Sequence, residues 1–348
     1  MSEIVPSIFP EDAEGTMLLR CECGNHDTLG ESHCGLCGDR HDLYGEATYQ
    51  VYVDKNFSTA HETIISQANN FLDEYQRDGY SVSLRQLYYQ FVANVEGFPN
   101  TEQSYKRLGG IITSARLAGR ISFKSIEDRG RSCKTFNYDD DPSAALEGIE
   151  YSYSELMWAE QDTYVEVWVE KDALSGVIER PCQRLQVPYM ACKGYMSASA
   201  AHVAGLRFKA AFDAGKDCVL IHLGDHDPSG IDMTRDNGNR LSMFAEDYVD
   251  VQRIGLNMDQ IERYNPPPNP TKITDSRSTE YIKEFGHTCW ELDALSPSVI
   301  SELITDEVHK YIDMDLWTTQ RETQRVNRAM LAKIEEHSEA VFDFVRGL

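Results

Sequence analysis

Three acidic residues lie just beyond two apolar runs. Glu170 closes the stretch VEVWVE, in which Val165, Val167 and Val169 alternate as they would along a strand. Asp225 and Asp227 follow a near-continuous apolar run from Cys218 to Leu223 that stops at Gly224. Such a run suits a parallel strand buried on both faces. In open α/β sheets, ligands bind outside the carboxyl ends of the strands. Carboxylates at two such ends therefore make a candidate Mg²⁺ site, because Mg²⁺ takes hard oxygen ligands and keeps water and phosphate beside one or two carboxylates. The same aspartates also suit a turn before Pro228 and Gly230, where Asp is favoured for local hydrogen bonding. His226, between them, is free to point away from an ion. Lys171 and Lys193 are either phosphate contacts at strand ends or solvated surface lysines.

The elements that must position these acids are legible as an alternation. A crossover helix, LSGVIERPCQRLQ, follows the first strand; VPYMACKGYMS then reads as a strand and its turn. SASAAHVAGLRFKAAFDAG reads as a second helix, stopped by Gly215. The βαβαβ order predicts an α/β fold with a parallel sheet.

The wording around the acids is more specific than the acids alone. VEKDAL, KGY and GDHDPSGIDM, in that order, resemble the topoisomerase VI A subunit and its relative, the meiotic double-strand-break protein. GLNMDQIERY and WELDAL, further along, resemble later segments of the same group. The resemblance covers roughly residues 80–300. It implies a winged-helix domain followed by a Rossmann-like Toprim domain, with Mg²⁺ held by Glu170, Asp225 and Asp227. It also implies a catalytic tyrosine in an R-x-x-x-Y setting. LRQLYYQ matches that motif with Arg85 and Tyr89. In the family the tyrosine of one protomer works with the metal of the other, so a homodimer cutting both strands of double-stranded DNA is implied. The chain carries no P-loop, so strand passage would need a separate GHKL-type ATPase subunit.

Physical chemistry agrees with those roles without establishing them. Ser83 can cap a helix in which Leu84, Leu87, Tyr88, Phe91 and Val92 form one apolar face. Tyr89 falls about 100° off that face, with Arg85 one turn before it. A phenol with a pKa near 10 needs help to attack phosphorus, and a guanidinium nearby can stabilise both the phenolate and the phosphorane charge. Tyr89 also suits an ordinary surface or interface tyrosine. Before this helix, Ala60–Tyr75 reads as another, ending at Asp78-Gly79. After it, YKRLGGIITSARLAGRI reads as a recognition helix ended by Gly119, with ISFKSIEDRGR as a wing.

The net charge of −24 opposes binding to phosphate unless basic residues are concentrated. Residues 106–134 concentrate them: Lys106, Arg107, Arg116, Arg120, Lys124, Arg129, Arg131 and Lys134 stand against Glu127 and Asp128. This segment is the candidate DNA-facing patch, and a solvated helix face is the alternative. Near the N-terminus, Cys21-x-Cys23 and Cys34-x-x-Cys37 suit a tetrahedral structural Zn²⁺ site, with glycines allowing the tight turns. The first pair is short, so His26, His33 or His41 can replace a cysteine; free thiols are the other reading.

The predicted organisation is a zinc-ribbon-like module at 1–45, a winged-helix domain at 46–135 and an acidic linker at 136–164. A Toprim domain with a C-terminal helical extension follows at 165–348. Pro266-Pro267-Pro268 reads as an extended surface segment. Asp293 can join the acids, although an exposed acid is the simpler reading. Residues 297–312 and 315–345 read as helices. Nine cysteines, no export signal and no long apolar run predict a cytoplasmic protein with free or metal-bound thiols and no membrane span. Two further readings stay open: a hydrolytic metal-dependent nuclease with Tyr89 structural, and a non-cleaving DNA-binding assembly subunit.

Overall fold

Capping residues start the helices of the N-terminal part, with Ser83 in the expected place. In the computed structural model, which describes residues 49–127, 141–146, 148–271, 275 and 277–347 plus two short strands, β1 (Leu18–Arg20) pairs antiparallel with β2 (His26–Thr28). Helix α1 (Thr59–Arg77) is capped by Ser58, and α2 (Leu84–Asn94) by a Ser83/Gln86 capping box. Helix α3 (Glu102–Leu117) begins three residues earlier than the expected Tyr105, because Thr101 caps it, its hydroxyl accepting from the Ser104 N–H. Gly119 ends it with φ +66. The three helices share a core of Ile65, Leu72, Leu87, Phe91, Leu108 and Ile112. Of the expected wing, Ile121–Glu127 are described, and Ile126 forms a parallel bridge with Val82. Cys21, Cys23, Cys34, Cys37, His33, His41, Arg129, Arg131 and Lys134 lie outside the described residues.

The chain divides into two compact units, Met1–Glu127 and Asp128–Leu348. The second contains the predicted sheet. Residues 136–164 read as a linker, yet their described part belongs to this unit's packing. The short helices α4 (Pro142–Leu146) and α5 (Ile149–Ser152) lead to Tyr153, whose carbonyl accepts from both Nε and Nη2 of Arg328 at 3.0 and 2.8 Å. Trp158 then donates to the Leu185 carbonyl at 2.7 Å and stacks edge-on against Trp317. Aromatic and hydrogen-bonding side chains outweigh the acidic composition that suggested a linker.

Strand β3 (Thr163–Val169) is followed by α6 (Ser175–Arg184), β4 (Tyr189–Ala191), α7 (Ala198–Asp213), β5 (Asp217–Leu223), α8 (Pro228–Ala245) and β6 (Asp250–Gly255). All pairings are parallel, in the order β4-β3-β5-β6. On one face, Val165, Val167 and Val169 pack with Val177 and Ile178 of α6 and with Ile300, Ile304 and Val308 of a later helix. On the other, Trp168 and Leu220 pack with Phe208 of α7 and Leu241 and Ala245 of α8. The period of two along β3 thus feeds two separate cores, as a sheet covered on both sides requires.

Helix α9 (Met258–Tyr264) precedes the proline run. Pro266 and Pro267 are buried rather than on the surface, and only Pro268 is exposed. Strand β7 (Asn269–Pro270) pairs with β8 (Thr288–Cys289) across α10 (Ser278–Phe285). Helices α11 (Pro297–His309), α12 (Met314–Glu336) and α13 (Ser338–Arg346) complete the chain, with the predicted single helix of 315–345 broken at His337. No helix among the described residues is long and apolar enough to cross a membrane.

Helices α7 and α8 approach closely at Gly205. A Cβ there would lie 2.3 Å from Phe244 Cβ, closer than two carbons can stand. Gly205→Ala should gain about 1 kcal/mol of helix propensity but lose more by overpacking, which costs about 1–3 kcal/mol. A lowered thermal midpoint, by a few degrees, is the expected result of calorimetry. A raised midpoint would mean that the helices part without cost.

Candidate functional site

The order β4-β3-β5-β6 reverses the direction of winding between β3 and β5. This is the switch point of an open α/β sheet, where crossovers leave in opposite directions and a crevice opens at the carboxyl ends. Glu170 is the residue after β3, and Asp225 and Asp227 follow β5. The three predicted acids therefore share one end of two neighbouring strands, joined where the Glu170 N–H donates to the Leu223 carbonyl at 2.8 Å.

Backbone geometry brings them closer still. Glu170 Oε2 accepts from the Asp225 N–H at 2.9 Å. Asp227 is the N-cap of α8, its Oδ1 accepting from the Gly230 N–H at 2.7 Å. Gly230 has to be glycine: a Cβ there would stand 2.2 Å from the Asp225 carbonyl oxygen and 3.0 Å from Glu170 Oε2. The D-x-D-P-x-G spelling thus encodes a turn that folds the helix start back against both acids.

Two half-buried cations answer the carboxylates. The Lys171 ammonium lies 2.9 Å from Asp225 Oδ2, 2.9 Å from Glu291 Oε2 and 2.5 Å from Asp293 Oδ1. Arg253 of β6 donates to the carbonyls of Gly224, Asp225, Gly230 and Leu256 and to the Thr234 hydroxyl. Its guanidinium staples the loop that carries the aspartates. Asp293 sits in a 3₁₀ turn, Leu292–Ala294, whose Leu292 N–H donates to Asp225 Oδ1 at 2.8 Å. It is 1 % exposed, not the solvated acid its sequence context suggested, and its Oδ2 is buried without a hydrogen-bond partner. Glu291 was not anticipated from sequence. The WELDAL segment was singled out, and its alternation of acid and leucine was the available signal.

Burial dominates the proton equilibria. It pushes the Asp225 carboxyl up to about 7, against the lowering effect of Lys171. It also raises Glu170, with the charge of Asp227 adding to it and the Asp225 N–H opposing. For Lys171, burial disfavours the ammonium, but Asp293, Asp225 and Glu291 outweigh it and hold the pKa well above the ordinary value. Burial lowers Arg253 to about 10, still protonated at neutral pH.

The donor set fits a hard divalent cation. It consists of carboxylate oxygens at a switch point, with one buried oxygen lacking a partner and a net acidic balance that two protein cations do not neutralise. Among the described residues, no three acids, histidines or cysteines already converge as metal ligands. Asp225, Glu291 and Asp293 instead surround Lys171. Beside Asp227 an open cleft of about 350 Å³ is lined by Ser229, Asn269, Trp290 and Glu291.

His226 does point away from the acids. Its backbone pairs with Trp290 through two hydrogen bonds, and its ring enters a cluster of Tyr281, Phe285 and Trp290. Lys193 is solvated and pairs with Asp172 at 3.0 Å.

In the first unit the predicted residues differ in burial. Tyr89 was expected off the apolar face, yet it is 3 % exposed, as buried as its neighbour Tyr88 at 5 %. The two rings are 5.4 Å apart, and Tyr88 is further packed by Phe98 and Tyr105, so the aromatic cluster wraps beyond the face that periodicity outlines. Arg85 is exposed, its guanidinium 5.5 Å above the Tyr105 ring. Among the predicted DNA contacts, Arg116 donates inward to the Phe123 and Ile126 carbonyls. Arg120 forms a forked pair with Glu62. Lys106, bridged to Glu102, Arg107 and Lys124 are exposed.

Compared with models of known protein families and with curated proteins, the chain matches none.

Burial lowers His226 to about 4, with Arg253 contributing. The unfolded value is near 6.5. Between the two, the unfolded chain binds a proton that the native state does not, so stability rises with pH across that window and is lost on acidification through it. Relative to wild type, His226→Phe should lose on the order of 2 kcal/mol less between pH 6.5 and 4. Unfolding curves in denaturant at several pH values measure this, and parallel profiles for the two proteins would refute it.

Proposed function

We propose that this chain is a metal-dependent DNA-cleaving protein of the topoisomerase VI A kind, with a winged-helix unit followed by a Toprim unit. The observation that carries the reading is the meeting of Glu170, Asp225 and Asp227 at the β3/β5 switch point, with Gly230 and Arg253 closing the turn around them. Glu170, Asp225 and Asp227 would hold Mg²⁺. When bound, such an ion supplies positive charge to a phosphate whose negative charge builds up in the transition state.

The chain's own residues do the rest. Tyr89 Oη is the nucleophile: it loses its proton and bonds to phosphorus as the P–O bond to a deoxyribose oxygen breaks, and that oxygen is released as a hydroxyl. Arg85 stabilises the phenolate and the developing phosphorane. Because Tyr89 is buried in the isolated chain, engagement with DNA or with a second protomer has to uncover it. Lys106, Arg107 and Lys124 supply phosphate contacts that orient the duplex, whereas Arg116 and Arg120 shape the unit. A homodimer presents two tyrosines and so two cuts. A separate GHKL-type ATPase subunit would be needed for strand passage, and the cysteine pairs would carry a structural Zn²⁺.

A second reading is favoured by one observation. The same burial of Tyr89 suits a hydrolytic nuclease in which water replaces the phenol.

The test uses purified full-length protein, supercoiled plasmid and Mg²⁺, stopped with detergent and split with and without protease. Wild type should give linear DNA that enters the gel only after protease. Both Tyr89→Phe and Asp225→Ala should lower cleavage at least about a hundredfold, the scale on which an essential nucleophile or metal-site residue acts. Cleavage that survives Tyr89→Phe but not Asp225→Ala selects the hydrolytic reading. Cleavage that survives both overturns the site.

A further inference from the structure

Lys171 presents the least expected feature of the acid cluster. It stands directly after Glu170, and its ammonium satisfies one oxygen each of Asp225, Glu291 and Asp293. Only 22 % of its side chain is exposed, whereas Asp293 is fully covered. Three carboxylates around one cation resemble an ion site already filled by a tethered charge. The fit is incomplete: Asp293 Oδ2, buried beside this ammonium, has no partner. A primary ammonium has three protons to give, and all three are committed to the oxygens named. A divalent cation accepts six or more oxygens and carries twice the charge.

We infer that Lys171 is an internal placeholder for the divalent cation, competing for Asp225 and leaving that carboxylate when the ion binds. The inference rests on the metal-dependent reading proposed above and adds a regulated step to it. In the ion-free protein, Lys171 holds three mutually repelling carboxylates together and keeps the switch point folded. Once the ion takes Asp225, the ammonium is displaced from the cluster. Its four-carbon stem lets it swing to the mouth of the crevice, where a phosphate oxygen is its natural partner. Glu291 and Asp293 then act as positioning residues that determine how readily it leaves. The two events are linked: whatever free energy the ion spends on expelling Lys171 returns as tighter ion binding when Lys171 is removed.

The test reads the lysine and the ion without reading DNA cleavage. Full-length protein is stripped with chelator and titrated with Mn²⁺, and bound ion is followed by the loss of free Mn²⁺ paramagnetic signal. In parallel, lysines are acetylated for a short time with acetic anhydride and quantified by mass spectrometry. Exposed Lys106 serves as the internal reference. Acetylation of Lys171 relative to Lys106 should rise several-fold on Mn²⁺ saturation. Lys171→Gln should bind Mn²⁺ about tenfold more tightly, the size of a typical coupling between linked sites. Lys193→Gln, which removes a nearby charge outside the cluster, should bind as wild type does. Unchanged acetylation of Lys171 with Mn²⁺ demonstrably bound overturns the placeholder role and leaves the metal-dependent reading standing. Failure of both wild type and Lys171→Gln to bind millimolar Mn²⁺ overturns the two together.

Discussion

Charge that has been taken out of water must be answered locally, and at the end of β3 and β5 the demand is severe. Glu170, Asp225 and Asp227 follow these strands, Glu291 and Asp293 share Lys171 with Asp225, and a carboxylate moved from water into protein costs several kcal/mol unless paired. Lys171 and Arg253 supply the answer in different ways. Lys171 pairs with the side chains, while Arg253 spends its donors on the carbonyls of the turn and compensates the field without touching the acids. Because both cations come from the sheet itself, the acids can be assembled before any ligand arrives. Asp225 remains under-compensated, which is why burial still raises its pKa to about 7.

The same problem is solved without a ligand within β3 itself. Glu166 is 1 % exposed, yet its two oxygens accept from Arg207, Tyr164 and Trp168 at 2.7–2.8 Å. That network is closed: every oxygen has a donor, and Arg207 reaches water at its edge. The contrast between the middle and the end of one strand separates a structural carboxylate from a candidate functional group. Glu166 is complete, whereas the cluster beyond Glu170 keeps an orphaned oxygen and a surplus of negative charge. Perturbed, incompletely paired groups in a crevice are the physical signature of a functional site.

Much of this was legible in the residues. Alternating valines marked β3, the apolar run marked β5, and the glycine and proline after Asp227 marked the turn. Together they placed the three acids at one end of a parallel sheet. What escaped was set by tertiary packing. Asp293 reads as solvated because leucines flank acids in many exposed turns, and only the arrival of Lys171 from another strand makes its burial tolerable. Tyr89 lies off the helical stripe, yet it is buried with its ring 5.4 Å from that of Tyr88. Pro266 and Pro267 are buried despite a run that favours extended surface structure. Arg116 and Arg120 belong to a basic stretch, yet their partners, two carbonyls and Glu62, are not visible from local charge. Sequence periodicity reports which side of an element is apolar. It does not report what folds over the other side.

The N-cap role of Asp227 links the acids to the mechanics of the whole unit. One of its oxygens is fixed by the first turn of α8, an 18-residue helix packed along α7. Asp227 therefore cannot shift without carrying a rigid body with it. Glu170, by contrast, reaches the cluster on a longer side chain from a strand end and is tethered through the Asp225 N–H. If the proposed ion binds here, adjustment to its radius would fall on the side chains of Glu170 and Asp225, with Asp227 held by the helix as the fixed point.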